Sequence, residues 1–442
     1  MTRTSGRAGL DASRIRDAAN VIYYSPMTKK KTTLALVSLG CAKNAVDLQV
    51  MAGNLLKDKN CTLSPDPDRA DVVIVNTCAF IASAREEAEA EIRRAVQLKA
   101  NGNYGRVVVA GCYPKRYPKA AAKFPGVDVW QGVPETWIEP KLPELRFTGR
   151  AFAYLKIAEG CAHRCAYCAI PAIRGKYRSR PVRAILREAR ALLKSGCREL
   201  NIVAQDPMLY GVDLKPRLSL TDLLWQIDRL PGDFWVRVLY SYPSEITEEF
   251  IDWLNTARHA VRYVDVPLQH TVPEILVKMN RKAAVTPTLV AAEALRACVP
   301  GITLRTTVMT GFPGETDLRF RRLRADLRRM QFDHLGAFAY SPEQGTAAAR
   351  MAGRPAKKTA EAREKLIMAD AAALWRVKAK RMIGQTFPAL VVAPGVARLA
   401  SQAPDVDGVT YLLDTGVNPA VGAFITVRLV KVCGFDFEAE VV

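Results

Sequence analysis

Long apolar runs are missing from this 442-residue chain, although 49% of its residues are hydrophobic. No stretch approaches the roughly 20 apolar residues of a membrane-spanning helix, and no apolar signal-peptide core follows the first residues. Ten cysteines are too few, in a chain of this length, for a dense disulfide framework. We therefore expect a folded, cytoplasmic protein of about three domains, with no membrane partner and with reduced cysteines that can bind metal.

Three of the ten cysteines are closely spaced in the segment Cys161-Ala-His-Arg-Cys165-Ala-Tyr-Cys168. A structural zinc site usually needs a second CxxC pair, which the sequence lacks, although His163 would be a competing ligand. Bacterial ferredoxins place a fourth cysteine nearby, whereas the next one here is Cys197. The spacing therefore predicts an iron–sulfur cube with three protein ligands and one open iron for a substrate or cofactor.

Residues 31–148 repeat one arrangement three times: an apolar strand, a cysteine just past its end, and a helical stretch. The strands are predicted at Thr33–Val37, Asp71–Val75 and Arg106–Ala110, and the cysteines are Cys41, Cys78 and Cys112. In a parallel α/β sheet the loops that follow the strands meet at the carboxyl edge. A lone cysteine is usually a small buried hydrophobe, but three equivalent positions predict a second cluster with three protein ligands.

Residues 149–376 alternate strand-like and helical segments, which predict a full or partial barrel with its active site at the C-terminal strand ends. The strands are expected at Ala153–Ile157, Glu199–Ala204, Trp235–Leu239, Tyr263–Val266, Thr303–Met309 and His334–Tyr340. Residues 377–442 change to short strands between turns and predict a small β-barrel of the oligonucleotide-binding kind. The fold class is thus α/β with a terminal β-barrel, and residues 1–30 are expected to be a disordered tail in which Met27 is an alternative start.

An open cluster at a barrel mouth suits reductive cleavage of S-adenosylmethionine, whose amino and carboxylate groups would chelate the free iron. Gln205, Asp206 and Arg305 lie at predicted strand ends and are candidates for orienting this cofactor, although residues in such places are more often caps or loop ion pairs. The formal charge of +20 favours contact with a polyanion such as RNA. The arginine-rich run at residues 319–329 is equally consistent with a solvated helix face.

The segment from Glu159 to Pro171, which contains the three spaced cysteines, resembles the radical-SAM methylthiotransferases, as does the following Ile173-Arg-Gly-Lys-Tyr-Arg-Ser-Arg180. Three N-terminal motifs are also similar to those of the family: Ser38-Leu-Gly-Cys-Ala-Lys-Asn44, Asn76-Thr-Cys-Ala-Phe80 and Ala110-Gly-Cys112. The resemblance extends over nearly the whole chain from Lys31 onward. Pro207-Met208 and Leu48-Gln49 depart from the family's pattern without touching a predicted cluster ligand.

The resemblance implies three domains, two [4Fe-4S] clusters and S-adenosylmethionine. An N-terminal domain, residues 31–148, would hold an auxiliary cluster on Cys41, Cys78 and Cys112. A radical-SAM partial TIM-type (β/α) barrel, residues 149–376, would hold the cofactor-cleaving cluster on Cys161, Cys165 and Cys168. Residues 377–442 would form an antiparallel TRAM β-barrel. Tyr167 matches the aromatic position that packs near the adenine in radical-SAM enzymes.

One branch of this family modifies an aspartate of ribosomal protein uS12, and the others modify adenosines of tRNA. Four segments resemble the uS12 branch: Ala204-Gln-Asp206, Leu239-Tyr-Ser-Tyr-Pro243, Ile173-Arg-Gly-Lys-Tyr177 and Ala339-Tyr-Ser-Pro-Glu-Gln-Gly-Thr346. They imply a transferase that uses two S-adenosylmethionine molecules to add a methylthio group to the β-carbon of that aspartate. A tRNA adenosine methylthiotransferase and a non-enzymatic RNA-binding iron–sulfur redox sensor are the alternatives.

The same resemblance implies a set of partners. They are uS12, either free or on the small ribosomal subunit, and an electron donor such as flavodoxin or ferredoxin. RNA contact is a further expectation, and we expect the protein to be a monomer.

Overall fold

The computed structural model describes residues 31–58, 60–133, 148–281, 285–414, 416 and 418–442, so the predicted tail at residues 1–30 lies outside the described residues. The described residues form two compact units. One contains the residues before 150 except 80–82, and the other contains 80–82 and the residues from 150 onward. Within the described ranges, no helix is both long and apolar enough to cross a membrane.

The first unit is built on a parallel sheet of five strands in the order β2-β1-β3-β4-β5. Its elements are β1 (Thr32–Ser38), α1 (Ala42–Leu55), β2 (Cys61–Leu63), β3 (Ala70–Thr77), α2 (Ala82–Ala100), β4 (Tyr104–Gly111), α3 (Cys112–Arg116) and β5 (Val129–Trp130). Val73, Val75 and Val109 are fully buried, as expected of parallel strands that are covered on both faces. The predicted parallel α/β fold is confirmed here.

The second unit starts with a six-stranded parallel sheet in the order β13-β12-β11-β10-β9-β6. A short antiparallel hairpin of β7 and β8 follows the edge strand β6. The strands are β6 (Phe152–Lys156), β7 (Ala158–Glu159), β8 (Arg178–Ser179), β9 (Glu199–Val203), β10 (Trp235–Val238), β11 (Ala260–Asp265), β12 (Thr303–Thr310) and β13 (His334–Ala339). Since β6 and β13 are the two edges, the sheet is the partial barrel that the sequence predicted.

The helices of this unit are α4 (Ile170–Arg174), α5 (Val182–Lys194), α6 (Leu220–Asp228), α7 (Glu248–Thr256), α8 (Pro273–Lys278), α9 (Val285–Cys298), α10 (Asp317–Met330) and α11 (Lys357–Met382). Of these, α5, α6, α7, α9, α10 and α11 cover one face of the sheet, because their buried apolar residues share one core with the strands. The largest core includes Leu155 and Leu304. Because successive side chains of a strand point to opposite faces, Tyr154 and Arg305 point to the other, inner face. That face is available for a site.

The C-terminal strands close into a barrel in the order β14-β15-β16-β18-β17. They are β14 (Thr386–Ala393), β15 (Val396–Leu399), β16 (Thr410–Leu412), β17 (Phe424–Cys433) and β18 (Asp436–Val441). Leu399, Val427 and Phe437 are buried in its core. The barrel is antiparallel, as predicted, except that β16 and β18 pair in parallel.

A buried ion triad joins this barrel to the six-stranded sheet. Glu199, the first residue of β9, accepts from Arg237 Nε of β10 at 2.8 Å and forms a second ion pair with Arg398 of β15. The carboxylate is 0% exposed. Burial opposes its ionisation, but Arg398 and Arg237 outweigh burial and hold the pKa of Glu199 below its ordinary value. The charge on this carboxylate therefore stabilises the folded unit.

We expect Glu199→Gln to lower the free energy of unfolding by about 3–5 kcal/mol, because two buried guanidinium groups would lose their counter-charge. Urea titration of both proteins measures the loss. Since folding lowers the pKa, the stabilisation is present above the ordinary carboxyl pKa and fades as the pH falls through the lowered value. Glu440→Gln is the matched control, because the Arg428–Glu440 pair is largely exposed and should contribute at most about 1 kcal/mol. Equal losses in the two variants would contradict the prediction.

Candidate metal centres and cofactor cavity

The three N-terminal cysteines follow neighbouring strands at one edge of the five-stranded sheet: Cys41 comes after β1, Cys78 after β3 and Cys112 after β4. The buried side chain of Asn44 joins their loops. Its Nδ2 donates to Leu39 O at 2.6 Å and to Thr77 O at 3.3 Å, and its Oδ1 lies 3.9 Å from Cys112 Sγ. The structure therefore brings the three loops together around one amide.

Two glycines with left-handed backbones allow these loops to approach closely. At Gly40 (φ +90°), an added Cβ would lie 2.7 Å from Cys78 Cβ and 3.1 Å from its Sγ. At Gly111 (φ +95°), an added Cβ would lie 2.4 Å from Asn76 Oδ1. Any side chain at either position would push a cysteine loop away from its neighbour, so the local sequence fits a compact cradle of three thiols.

The CxxxCxxC segment of the second unit forms a loop between β7 and α4, and hydrogen bonds from distant parts of the unit fix it. Ala166 N donates to Met279 O at 2.9 Å, and Ala166 O accepts from Ala348 N at 2.8 Å. Asn280 Nδ2 donates to Arg164 O at 2.8 Å. The loop is thus held near the carboxyl ends of the strands before any ligand binds.

A stack of side chains supports the same loop. The rings of His163 and Tyr242 lie parallel with their centroids 3.9 Å apart, and the Arg281 guanidinium lies 4.1 Å from the Tyr242 centroid. His163 Nε2 lies 2.6 Å from Asp206 Oδ2, and Arg281 Nη1 approaches Cys165 Sγ at 3.9 Å. Arg281 therefore presents positive charge where a cluster bound by three thiolates would carry negative charge.

We expect Arg281→Met to lower iron retention or cluster-dependent activity by roughly 10–100-fold, the usual effect of removing a group that supports a metal ligand. Iron content and visible absorption after anaerobic reconstitution measure the change. Lys278→Met, which removes an exposed cation from α8, is the control and should bind iron as the parent does. Full iron retention in Arg281→Met would show that the arginine does not support the cluster.

The thiols of the loop are largely buried and would bind a cluster as thiolates. Burial raises the pKa of Cys161 to about 11 and that of Cys168 to about 12, so metal would have to displace their protons. Ile170 N approaches Cys168 Sγ at 3.5 Å. In the described ranges, no three His, Cys, Asp or Glu side chains gather around one point to hold a single metal ion. A cube instead offers each cysteine its own iron.

Glu159 lies beside the loop in a buried polar network. It pairs with Lys156 and with Arg174 Nη1, the latter at 3.2 Å, and its Oε1 accepts from Gln205 Nε2 at 2.8 Å and from Gly160 N at 3.2 Å. Burial opposes ionisation, but Lys156 and Arg174 prevail and lower the pKa of Glu159 to about 2. The network fixes the strand from which the cysteine loop starts.

A cavity of about 250 Å³ lies on the inner face of the six-stranded sheet. Its lining includes Tyr167, Asp265, Arg305, Thr307, Met309 and Tyr340. Tyr240 (φ +71°) and Gln269 (φ +68°), which also line it, have left-handed backbones. Such conformations are unfavourable for residues other than glycine and cluster at functional sites.

The four residues predicted to contact the cofactor lie in two places. Tyr167 and Arg305 line the cavity, and Tyr167 packs edge-on to Phe312 at 6.4 Å. Gln205 and Asp206 follow β9, and their side chains engage Glu159 and His163 next to the cysteine loop. Arg305 is the third residue of β12 and not its end, because the strand continues for five residues beyond it.

Sequence reasoning did not assign Asn44, Glu159, Tyr242 or Arg281 to a site. Asn44, Glu159 and Tyr242 lie inside segments that carry the family resemblance, and the resemblance was the available signal for these three. The roles of these residues depend on partners that are far away in the chain. Arg281, for example, approaches Cys165, which is 116 residues away in the sequence. The sequence indicates His163 only as a competing zinc ligand, whereas in the structure it stacks on Tyr242.

Three family models match this chain. The "Uncharacterized protein family UPF0004" matches residues 33–132, the "Radical SAM superfamily" residues 155–327 and the "TRAM domain" residues 383–442. A solved structure, the radical S-adenosylmethionine methyltransferase TsrM from Kitasatospora setae, has a TM-score of 0.51 and 18% identity. The similarity covers 72% of this chain and 77% of TsrM, and it supports the fold alone.

Similarity to curated proteins extends over nearly the whole chain. The ribosomal protein uS12 methylthiotransferase RimO of Syntrophus aciditrophicus is 38% identical over 450 residues, which cover 93% of this chain and 99% of the relative. The protein of the same name from Moorella thermoacetica is 38% identical over 434 residues, covering 92% and 99%. With the order of its three matched domains, this similarity shows that the chain is a transferase that belongs to the radical-SAM methylthiotransferase family and is most similar to the branch named for ribosomal protein uS12.

Proposed function

We propose that this protein transfers a methylthio group to the β-carbon of an aspartate in ribosomal protein uS12, with two [4Fe-4S] clusters and two S-adenosylmethionine molecules. The observation that carries the proposal is the presence of two cysteine triads in preorganised loops, one around Asn44 and one against Arg281. The name shared by the relatives of nearly equal length supports the substrate. A cytoplasmic location and a monomeric state belong to the same proposal.

The ligands in this proposal are the two triads, Cys41, Cys78 and Cys112 in the first unit and Cys161, Cys165 and Cys168 in the second. The cluster on the second triad would supply the electron for cleavage of S-adenosylmethionine, and the cluster on the first triad would hold the sulfur to be transferred. The chain's own contribution is to hold the thiols in place before the metal arrives. Asn44 does this for the first triad and Arg281 for the second.

The cavity is the proposed place of the cofactor's adenosyl group, with Tyr167 against the adenine. Gln205 is proposed to orient the amino acid part, because its Oε1 is buried and accepts no hydrogen bond within the described ranges. Both carboxylate oxygens of Asp206 are engaged, by His163 and by Met208 N at 3.0 Å. Asp206 is therefore proposed to act through the cysteine loop.

The choice of chemistry follows from the substrate. The β-carbon of an aspartate carries an unactivated C–H bond, which a general base cannot deprotonate usefully. Hydrogen abstraction by a radical avoids that difficulty and requires that water be excluded from the reacting atoms. The largely apolar lining of the cavity, including Met309, Phe338 and Pro267, suits that requirement.

Anaerobic turnover with sulfide, S-adenosylmethionine and dithionite as the chemical reductant tests the proposal, with uS12 and tRNA offered in parallel and both searched by mass spectrometry. We expect the aspartate of uS12 to gain a methylthio group. A modified adenosine would establish the tRNA alternative instead. Absence of 5′-deoxyadenosine under reducing conditions would favour the non-enzymatic redox sensor. An electron donor such as flavodoxin or ferredoxin is proposed to replace the chemical reductant in the cell.

RNA contact is proposed for the outer face of α10. Arg321 and Arg322 are exposed there, and no ion-pair partner for either is found within the described ranges. Other arginines of the helix are engaged, since Arg324 and Arg328 both bind Asp370, at 2.5 and 2.8 Å. A pair of uncompensated cations on one helix face is suited to phosphates, as on a ribosomal subunit.

We expect the double variant Arg321→Glu/Arg322→Glu to modify assembled small subunits more slowly than the parent does, and free uS12 at an unchanged rate. The salt slope of subunit binding should fall by about one for each lost phosphate contact. Arg258→Glu, an exposed arginine of the same unit, is the matched control. An equal loss of modification rate with free uS12 would indicate that the two arginines act in catalysis or folding. An unchanged rate with assembled subunits would show that this face does not contact RNA.

A further inference from the structure

The loop between β15 and β16, residues 400–409, extends from the C-terminal barrel onto the inner face of the six-stranded sheet. Asp405 Oδ2 accepts from Tyr154 OH of β6 at 2.6 Å. Asp407 Oδ2 accepts from Tyr263 OH of β11 at 2.7 Å, and its Oδ1 accepts from Arg305 Nη1 of β12 at 2.6 Å. Three strands are thus bound by two carboxylates of one loop.

The loop also forms part of the cavity wall. Pro404 and Val406 line the cavity together with Arg305, and Val406 O accepts from Arg305 Nη1 at 3.3 Å. Arg305 Nε is 3.8 Å from Asp265 Oδ1, another lining residue. The guanidinium that faces the cavity is therefore held by a residue that belongs to a different domain of the chain.

Asp407 is the centre of this contact. Its side chain is 0% exposed, and besides Tyr263 and Arg305 it accepts from Ala403 N at 2.9 Å and lies 3.4 Å from His334 Nδ1 of β13. His334 Nε2 in turn bonds Ser401 O at 2.8 Å. A buried carboxylate with this many donors fixes the position of each of them.

From these contacts we infer that Asp407 is a positioning residue for the cofactor cavity, because it holds Arg305 in the cavity lining and binds Tyr263 of the neighbouring strand β11. The C-terminal barrel is then a structural part of the cofactor site as well as a separate module. This inference rests on the proposed function only in taking S-adenosylmethionine as the ligand of the cavity.

The contact made by Asp407 reaches a residue of the cavity lining, which distinguishes it from the other buried ion-pair contact between the C-terminal barrel and the sheet. The Glu199 triad also joins the barrel to the sheet, but Glu199, Arg237 and Arg398 are not part of the cavity lining that the described residues form. Loss of either contact should weaken the fold. Only loss of Asp407 should release a charged group, Arg305, into the cavity.

Binding of S-adenosylmethionine to the reconstituted, full-length protein, measured by calorimetry without reductant, tests the inference. We expect Asp407→Asn to bind about tenfold more weakly, a loss of about 1.4 kcal/mol. In turnover, the KM for S-adenosylmethionine should rise while kcat at saturation is largely retained. Tyr263→Phe removes one hydrogen bond and no charge, so it should lower the affinity for S-adenosylmethionine by a smaller factor. This variant tests the inference if Asp407→Asn does not fold.

Glu199→Gln is the matched control, because it loosens the same pair of domains and the same loop, whose Ala400 O accepts a hydrogen bond from Arg237 Nη1 at 2.8 Å, but leaves the counter-charge of Arg305 in place. It should lower stability without changing affinity for S-adenosylmethionine. Equal affinity in the parent and Asp407→Asn, or an equal loss in Glu199→Gln and Asp407→Asn, would overturn the inference. Failure of the parent itself to bind S-adenosylmethionine would instead contradict the proposed function, so the two outcomes are distinguishable.

Discussion

Replacing Cys168 with alanine is expected to abolish release of 5′-deoxyadenosine from S-adenosylmethionine. Cys168 is one of the three thiols of the CxxxCxxC loop, and the loop offers no equivalent substitute. His163 is the nearest other metal-binding side chain in the sequence, but it stacks on Tyr242 and its Nε2 is engaged by Asp206. Two cysteines alone would leave a second iron of the cube without a protein ligand.

Chromatography of the nucleoside after anaerobic reaction with dithionite measures this outcome, and iron content measures the cluster. About half of the iron should be lost, since the first triad is in the other compact unit. Cys298→Ala is the matched control, because Cys298 is exposed at the end of α9 and has no partner spacing. Nucleoside release from Cys168→Ala at the parent's rate would remove Cys168 from the ligand set.

Features that depend on neighbouring residues were predictable from the sequence. The strand predicted at Thr33–Val37 is observed at Thr32–Ser38, and that predicted at Thr303–Met309 is observed at Thr303–Thr310. Apolar runs identify such strands because a strand that is buried on both faces needs apolar side chains at successive positions. The cysteines that follow the strands could be placed at one sheet edge for the same reason. The domain limits at residues 148/149 and 376/377 stay predictions.

Features that depend on contacts across the chain were not predictable. Asn44 is 68 residues from Cys112, and Arg281 is 116 residues from Cys165. Nothing in the local pattern says which polar residue will meet which loop after folding. Arg305 was expected at a strand end and near the cofactor; its strand extends further, and its partner Asp407 is 102 residues away.

The contacts of the loop that carries Asp407 were also not predictable from its own sequence. In the sequence, Pro404, Asp405 and Asp407 are ordinary turn residues between two short strands. Their contacts to three strands of another domain make them part of the cavity. The composition of residues 377–442 predicts turns between short strands, but only the packing of the two domains shows that the carboxylates of this loop bind the inner face of the six-stranded sheet.

Cys78→Ala is expected to retain cleavage of S-adenosylmethionine and to lose the methylthio product. Alanine keeps the Cβ that packs against Gly40, so the cradle of the first unit should fold without its thiol. The three cysteines of the second triad and Arg281 are in a different compact unit and are untouched. The two reactions should therefore separate, with 5′-deoxyadenosine formed and uS12 unmodified.

The ratio of methylthiolated uS12 to 5′-deoxyadenosine, measured in one reaction, is the decisive quantity because it does not depend on enzyme concentration. Cys61→Ala, in β2 of the same unit, is the control and should keep the parent's ratio. A Cys78→Ala protein with the parent's ratio would mean that sulfur reaches the substrate without the first triad. A protein that lost cleavage as well would mean that the two triads act as one site, since no side chain of the second triad is altered. The expected result, cleavage without transfer, assigns sulfur delivery to the loops that Asn44 joins.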